Sequence, residues 1–168
     1  MSADAKPRSR RRARTSAAPL DVRLWRMIAA CAVLGVGHHV DHMLREATGW
    51  PLPGHAVGPF TFSLLVYPVL AVLAVLTLRG RAGAGSWAVF TAVGAAFVGS
   101  VHFGPLADDT ITMVRTGYAT SAAGVAAVIW LAAQVTALAA TSVYAGRAWM
   151  QHRSCRVPGA PPAPVRAV

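Results

Sequence analysis

The sequence is poor in charged residues. They make up only 13% of the 168 residues, whereas 55% of the residues are hydrophobic. Soluble globular domains carry charge on about a quarter of their residues, so this composition excludes an ordinary soluble domain. Acidic residues are the scarcest, with only 6 Asp and Glu in total. The composition indicates a bilayer as the solvent, and membrane lipids as the surroundings of the protein.

Cysteine is also scarce. Cys31 lies in a long hydrophobic run and Cys155 in the C-terminal tail, so the two thiols cannot reach each other and no disulfide framework is expected. The sequence has no hydrolase nucleophile elbow, no phosphate-binding loop, no thiol pair and no haem-attachment motif. Short motifs therefore do not decide whether the protein is an enzyme.

Four long hydrophobic runs are present, at about 24–44, 60–78, 86–106 and 119–146. Each is long enough to cross a hydrocarbon core about 30 Å thick as a helix that rises about 1.5 Å per residue. We therefore predict an all-α fold, a four-helix transmembrane bundle that forms one domain over residues 20–147. Residues 1–19 are expected to be a disordered basic tail, and residues 148–168 a disordered Pro-rich tail.

The basic residues predict the orientation of the bundle. Of the 16 Lys and Arg residues, all but Arg45 and Arg115 belong to one side of the four spans. Because short segments rich in Lys and Arg stay in the cytoplasm, both termini are expected to be cytoplasmic and the protein to lie in the plasma membrane. The formal net charge of +10 lies in tails and loops beside the spans, which argues against nucleic-acid binding.

Ionisable residues gather at the opposite end of the spans. They lie at the end of span one, in the next loop, and at or just after the end of span three: His38, His39, Asp41, His42, Arg45, Glu46, His55, His102, Asp108 and Asp109. Such groups are costly inside a membrane and are therefore candidates for function. At 100° per residue, those of span one share one helix face. The opposite face is apolar and is expected to contact lipid: Val33, Val36, Val40, Met43 and Leu44.

His38, His42 and His102 are the main candidate metal ligands. Histidines at positions i and i+4 point two imidazoles in the same direction, and His102 lies at a matching depth on span three. Small residues on both helices, including Cys31 and Gly35, predict that spans one and three are neighbours.

A carboxylate would complete a four-ligand set for zinc, copper or iron. Asp41 is the first candidate, and the weaker candidates for a ligand or a supporting group are His39, His55, Asp108 and Asp109. Binding of a haem through two histidines stays open, as does a purely structural role in which these groups are solvated or paired at the interface.

Two polar features occur inside the other spans. Pro68 is expected to kink span two and to free a carbonyl near Leu64. Gln134 is expected to hydrogen-bond between helices.

Several short segments resemble a group of small four-span membrane proteins from high-GC bacteria for which no activity is known. The segments are Gly37-His38-His39-Val40-Asp41-His42, Gly49-Trp50-Pro51, Phe60-Thr61-Phe62-Ser63, Tyr67-Pro68 and Val101-His102-Phe103-Gly104-Pro105. The resemblance covers about residues 20–147 and implies a four-span fold, without a substrate or cofactor.

Three functions stay open at this point. The protein is a membrane protein that binds a metal or haem, a small proton-linked transporter, or a non-catalytic accessory subunit that docks a partner. A homo-oligomer or a membrane partner protein is compatible with each of them.

Overall fold

The computed structural model describes residues 17, 19–45, 59–104 and 109–154. Within these ranges the regular elements are six helices: α1 (Val22–Leu44), α2 (Pro59–Ser63), α3 (Val66–Leu78), α4 (Ala84–Phe103), α5 (Ile111–Thr116) and α6 (Ser121–Ser154). Four stretches are long and apolar enough to cross a membrane: Val22–Leu44, Phe60–Leu78, Ala84–Phe103 and Ser121–Ser154. The predicted all-α fold with four membrane-spanning stretches is confirmed.

Helix α1 has the two faces that its sequence predicts. It begins after Asp21, whose Oδ1 accepts a hydrogen bond of 2.7 Å from the backbone N–H of Leu24 and so caps the helix. The buried face carries Leu24, Ile28, Cys31 and the histidines. The residues predicted to contact lipid are exposed: Val33, Val36, Val40, Met43 and Leu44.

The second span is broken rather than continuous. A turn at Leu64 and Leu65 separates α2 from α3. Pro68 has no N–H to offer the Leu64 carbonyl, which instead accepts a hydrogen bond of 3.2 Å from the N–H of Tyr67. Pro68 therefore distorts the span near Leu64, as predicted, but the distortion is a break between two helices rather than a kink in one.

The two ends of the bundle differ in chemistry. At one end, Leu24 and Ile28 of α1 pack with Trp87 of α4 and Ala145 of α6 in an apolar core. The hydroxyl of nearby Tyr144 donates to Asp21 Oδ2 over 2.9 Å. The buried histidines lie at the other ends of α1 and α4. Helices α1 and α4 therefore run in the same direction, and α6 runs in the opposite direction.

The prediction that the small residues of α1 pack against the third span was wrong. Cys31 Sγ lies 3.3 Å from Thr141 Oγ1 on α6, and a Cβ at Gly35 would lie 3.7 Å from Nε2 of Gln134, also on α6. Spacing along one helix shows which face allows a close approach, but it does not show which neighbour makes it.

Helix α6 extends beyond the predicted span. It continues through Ser154, over residues 148–154 that we had assigned to the disordered tail. Its 34 residues measure about 51 Å at 1.5 Å per residue, so it is longer than the hydrocarbon core. No Pro or Gly interrupts residues 147–154, and the first proline after them is Pro158, which explains why the helix does not end at the membrane boundary.

Candidate metal centre

Three imidazoles from two helices converge at the end of the bundle opposite the Leu24–Trp87 core. We call His38 and His42 of α1 and His102 of α4 the His triad. Nε2 of His38 lies 3.3 Å from Nε2 of His42 and 3.3 Å from Nε2 of His102. The three residues are only 6%, 6% and 3% exposed, and their possible ligand atoms all lie within 4.8 Å of one another. The prediction that these residues lie together is confirmed.

Local structure explains the convergence. His38 and His42 are one helical turn apart, so their side chains leave the same face of α1. His102 lies in the last turn of α4, which ends at Gly104 with an extended backbone (φ −120°, ψ −162°). Asp109 is the next residue that the structure describes, and it lies beside the imidazoles.

Asp109 contacts the outward nitrogens of two triad rings. Its backbone carbonyl lies 2.6 Å from Nδ1 of His102. Its carboxylate Oδ2 lies 3.6 Å from Nδ1 of His42 and 3.8 Å from Nδ1 of His102. Carboxylates and carbonyls in this position orient a ligating imidazole and increase its basicity. Asp109 therefore faces the side of the rings opposite Nε2.

These contacts assign the protons of the triad. A carbonyl can only accept, so Nδ1 of His102 donates to Asp109, and a neutral His102 ring then presents the lone pair of Nε2 to His38. Nε2 of His38 has two nitrogen neighbours at 3.3 Å and carries at most one proton. Without a cation, one N–H would have to serve both neighbours, whereas a metal ion would accept all three lone pairs.

Arg45 joins the triad's surroundings into one network. Its guanidinium donates to Asp109 through Nη1 (2.9 Å) and Nη2 (2.6 Å). It also donates to Asp41 Oδ2 through Nε (3.0 Å) and Nη2 (2.7 Å). The hydroxyl of Tyr118 donates to the other oxygen of Asp41 over 2.6 Å. The network links the end of α1 to the segments before and after α5.

The charges of this network reinforce one another. Burial disfavours the charged form of Arg45, but its hydrogen bonds to Asp109 and Asp41 hold its pKa above the ordinary value. Burial tends to raise the pKa of Asp109, but the hydrogen bonds and charge of Arg45 outweigh it and lower that pKa. Burial, with the hydrogen bond to Asp41, raises the pKa of Tyr118 to about 12.

The network carries one more negative than positive charge. Arg45 supplies one positive charge, while Asp41 and Asp109 supply two carboxylates. The imidazoles are neutral when they act as ligands. The site thus combines three nitrogen donors with a surplus of negative charge, which favours a cation.

His39 belongs to a different set of contacts. Its Nδ1 lies 2.9 Å from the Gly35 carbonyl and 2.9 Å from the Tyr67 hydroxyl, and its Nε2 lies 2.9 Å from Ser63 Oγ. These contacts join α1 to α2 and α3. His39 is thus a structural link rather than a neighbour of the triad nitrogens.

The remaining candidates fall into two groups. Asp41, the first candidate for a carboxylate ligand, contacts Arg45 and Tyr118, and Asp109 occupies the place beside the imidazoles. His55 and Asp108 lie outside the described residues, so their roles stay predictions.

Two of the three nitrogen separations within the triad fit a tetrahedral ion. With metal–nitrogen bonds of about 2.0–2.1 Å, ligand nitrogens at two corners of a tetrahedron lie roughly 3.3–3.4 Å apart. Both measured Nε2 separations are 3.3 Å. A bis-histidine haem needs its two imidazoles on opposite faces of a porphyrin, whereas His38 and His42 leave the same face of α1 and lie 3.3 Å apart at Nε2. The geometry favours a metal ion over haem.

An apolar cavity adjoins the triad. Its volume is about 640 Å³, and its walls come from α1, α3, α4 and α6, with the three imidazoles among the lining residues. Gln134 of α6 also lines it. Gln134 is only 5% exposed, and its Oε1 has no hydrogen-bond partner among the described residues. Gln134 was expected to hydrogen-bond between helices, and its Oε1 makes no such bond to the described residues.

Sequence reasoning missed two functional contacts. Tyr118 was not among the residues predicted for the site, yet its hydroxyl donates a hydrogen bond to Asp41. Asp109 was ranked below Asp41, yet it contacts two triad rings. Both residues lie outside the long helices, where helical periodicity carries no signal.

No protein-family model, curated protein or solved structure matches this chain. The likeness to four-span proteins of high-GC bacteria therefore stays a prediction.

Proposed function

We propose that the protein is a membrane metalloprotein that binds one divalent transition-metal ion, zinc foremost, through Nε2 of His38, His42 and His102. The observation that carries the proposal is the pair of 3.3 Å separations that meet at Nε2 of His38, which match the edges of a tetrahedral site. The surplus negative charge of the Arg45 network supports a cation at this place.

Three imidazoles leave a fourth position of a tetrahedral ion for water or a substrate oxygen. Sites with three protein ligands and one such position are typical of zinc that acts chemically, whereas structural zinc sites are closed by four protein ligands. Among the described residues, the metal-ligand group around the triad contains only these three side chains. The arrangement therefore supports metal chemistry rather than a purely structural ion.

Metal analysis tests the proposal. The protein should be purified in detergent through a tag without histidine, stripped with a chelator, supplied with zinc and analysed for bound metal. We expect one zinc per chain, and a loss of at least tenfold in affinity in His38→Ala, His42→Ala and His102→Ala. His152→Ala is the matched control, because His152 is exposed at the far end of α6. Absence of stoichiometric metal from every preparation, supplemented or not, would refute the proposal.

We also propose that the triad lies towards the outer face of the plasma membrane. The tails and the loop between the second and third spans carry nearly all the basic residues, and short basic segments stay in the cytoplasm. Arg79 and Arg81 mark that loop. A reporter that is active only in the cytoplasm should be active when fused after Arg81 and inactive when fused after Leu106. A reporter that is active only outside the cytoplasm should show the opposite pattern. The reverse result for either reporter would contradict this orientation.

A further inference from the structure

The cavity beside the triad has a shape set by α3. None of the residues of α3 is buried, so this helix does not pack tightly against the bundle. Two hydrogen bonds hold it: Tyr67 to His39 near one end (2.9 Å), and the indole of Trp87 to Thr77 near the other (3.0 Å). Tyr67 and Thr77 are separated by about 15 Å along the helix axis. The cavity lies behind this length of α3.

The lining of the cavity is mostly apolar apart from the triad end, Thr91 and Gln134. Residues such as Ala32 of α1, Leu70 of α3 and Val98 of α4 form its wall. Its volume of about 640 Å³ lies within the usual range of small-molecule sites, roughly 300–1,000 Å³. A hydrophobic chain is therefore the chemical match for most of the wall.

Two polar groups of the cavity determine which polar groups the end of such a ligand needs. The first is the metal held by the triad, whose fourth position takes an oxygen donor. The site with its ion has a net charge of about +1, because Arg45 and a divalent cation face two carboxylates. A carboxylate head would neutralise that charge.

The second polar group is Oε1 of Gln134. It is buried, has no partner in the described part of the chain and lines the same cavity, and a buried acceptor of this kind is costly unless a ligand or water donates to it. Gln134 lies beside Gly35, which precedes His38 by about one turn, or about 5 Å. A ligand hydroxyl a few atoms from the carboxylate would reach this oxygen.

We infer that the cavity binds a single-chain hydroxy fatty acid from the membrane, with its carboxylate on the metal, its hydroxyl donating to Gln134 and its chain against α3. The inference rests on the proposed metal site and names the class of ligand that the site takes.

Native mass spectrometry of the zinc-loaded protein tests this inference, with 3-hydroxytetradecanoic acid and tetradecanoic acid as probes. We expect one hydroxy acid per chain, bound more tightly than the plain acid. Ala32→Phe and Leu70→Trp fill the cavity from opposite walls and should weaken binding at least tenfold while one zinc is kept. Ala29→Phe on the exposed side of α1 is the matched control and should bind normally. Gln134→Leu should abolish the preference for the hydroxy acid.

The outcomes separate the two proposals, because metal and fatty acid are counted in the same spectrum. Zinc without any bound acid would overturn the inference and leave the metal site standing. Unchanged acid binding in a cavity-filling variant that keeps its zinc would overturn it as well. If one of these variants loses zinc, the other decides the result. A wild-type protein without zinc would instead refute the proposed function.

Discussion

Replacing Arg45 by Met should be the most damaging single change at this end of the bundle. The side chain of Arg45 is only 3% exposed, and its guanidinium makes four hydrogen bonds to Asp41 and Asp109. Met has a similar apolar stem but no charge, so the variant leaves two buried carboxylates without their cation. The expected consequences concern both stability and metal binding.

The magnitude follows from the burial of the partners. Removal of one member of a buried ion pair costs about 3–5 kcal/mol, because an unpaired charge stays in the protein. Summing the four hydrogen bonds separately, at about 1.5–3 kcal/mol each, would overcount, since they share the same guanidinium. We therefore expect a loss of about 3–5 kcal/mol in the free energy of unfolding. Displacement of Asp109 should also lower zinc affinity by about 10–100-fold, as loss of a group that orients a ligand does.

Denaturant unfolding in detergent and zinc titration measure these two effects. Arg45→Lys keeps the charge but cannot span two carboxylates with a planar fork, so it should lie between wild type and Arg45→Met. Arg115→Met is the matched control, because Arg115 is at the same end and exposed. Adding Asp41→Asn to Arg45→Met should recover part of the loss, since one unpaired carboxylate is removed. A loss below about 0.5 kcal/mol in Arg45→Met would refute this reasoning, because that is the range of ordinary surface substitutions.

Three further variants test other contacts by the same unfolding measurement. Gly37→Ala should destabilise the protein by about 1–3 kcal/mol, because the new methyl group would overlap the Trp130 ring; an unchanged midpoint would contradict this packing. Tyr118→Phe should cost about 1.5 kcal/mol at neutral pH through the lost hydrogen bond to Asp41. Because the pKa of Tyr118 is raised from 10.0 to about 12, this difference should persist below pH 10 and fade as the pH rises towards 12; a difference independent of pH in that range would count against the contact. Gln134→Leu should stabilise the ligand-free protein by about 1 kcal/mol, because an unpaired buried carbonyl is removed; destabilisation would indicate a partner for Oε1.

The sequence allowed the spans and the triad to be predicted because both follow from regular periodicity. Long apolar runs define the helices, and the spacing of His38 and His42 fixes their common face. Counting residues along two helices that start at the same membrane boundary then placed His102 at the same level. Each step depends on a straight helix, which α1 and α4 provide.

The supporting groups could not be predicted in the same way. Asp109 follows a loop, and no periodic rule gives the path by which its carbonyl reaches His102. Arg45 pairs with both Asp41 and Asp109, and only the path of the chain after α4 brings Asp109 rather than Asp41 beside the imidazoles. The cavity depends on how far α3 stands from α1 and α4. Those distances are set by the contacts of Tyr67 with His39 and of Thr77 with Trp87 rather than by the hydrophobicity of the span.

The most direct test of the central claim is X-ray absorption spectroscopy at the zinc edge of the loaded protein. Ligation by His38, His42 and His102 predicts three imidazole nitrogens at about 2.0–2.1 Å and one oxygen donor, with the imidazole signal reduced in His102→Ala. A shell of oxygens only, a sulfur at about 2.3 Å, or a spectrum unchanged in His102→Ala would contradict the assignment of the triad as the metal site.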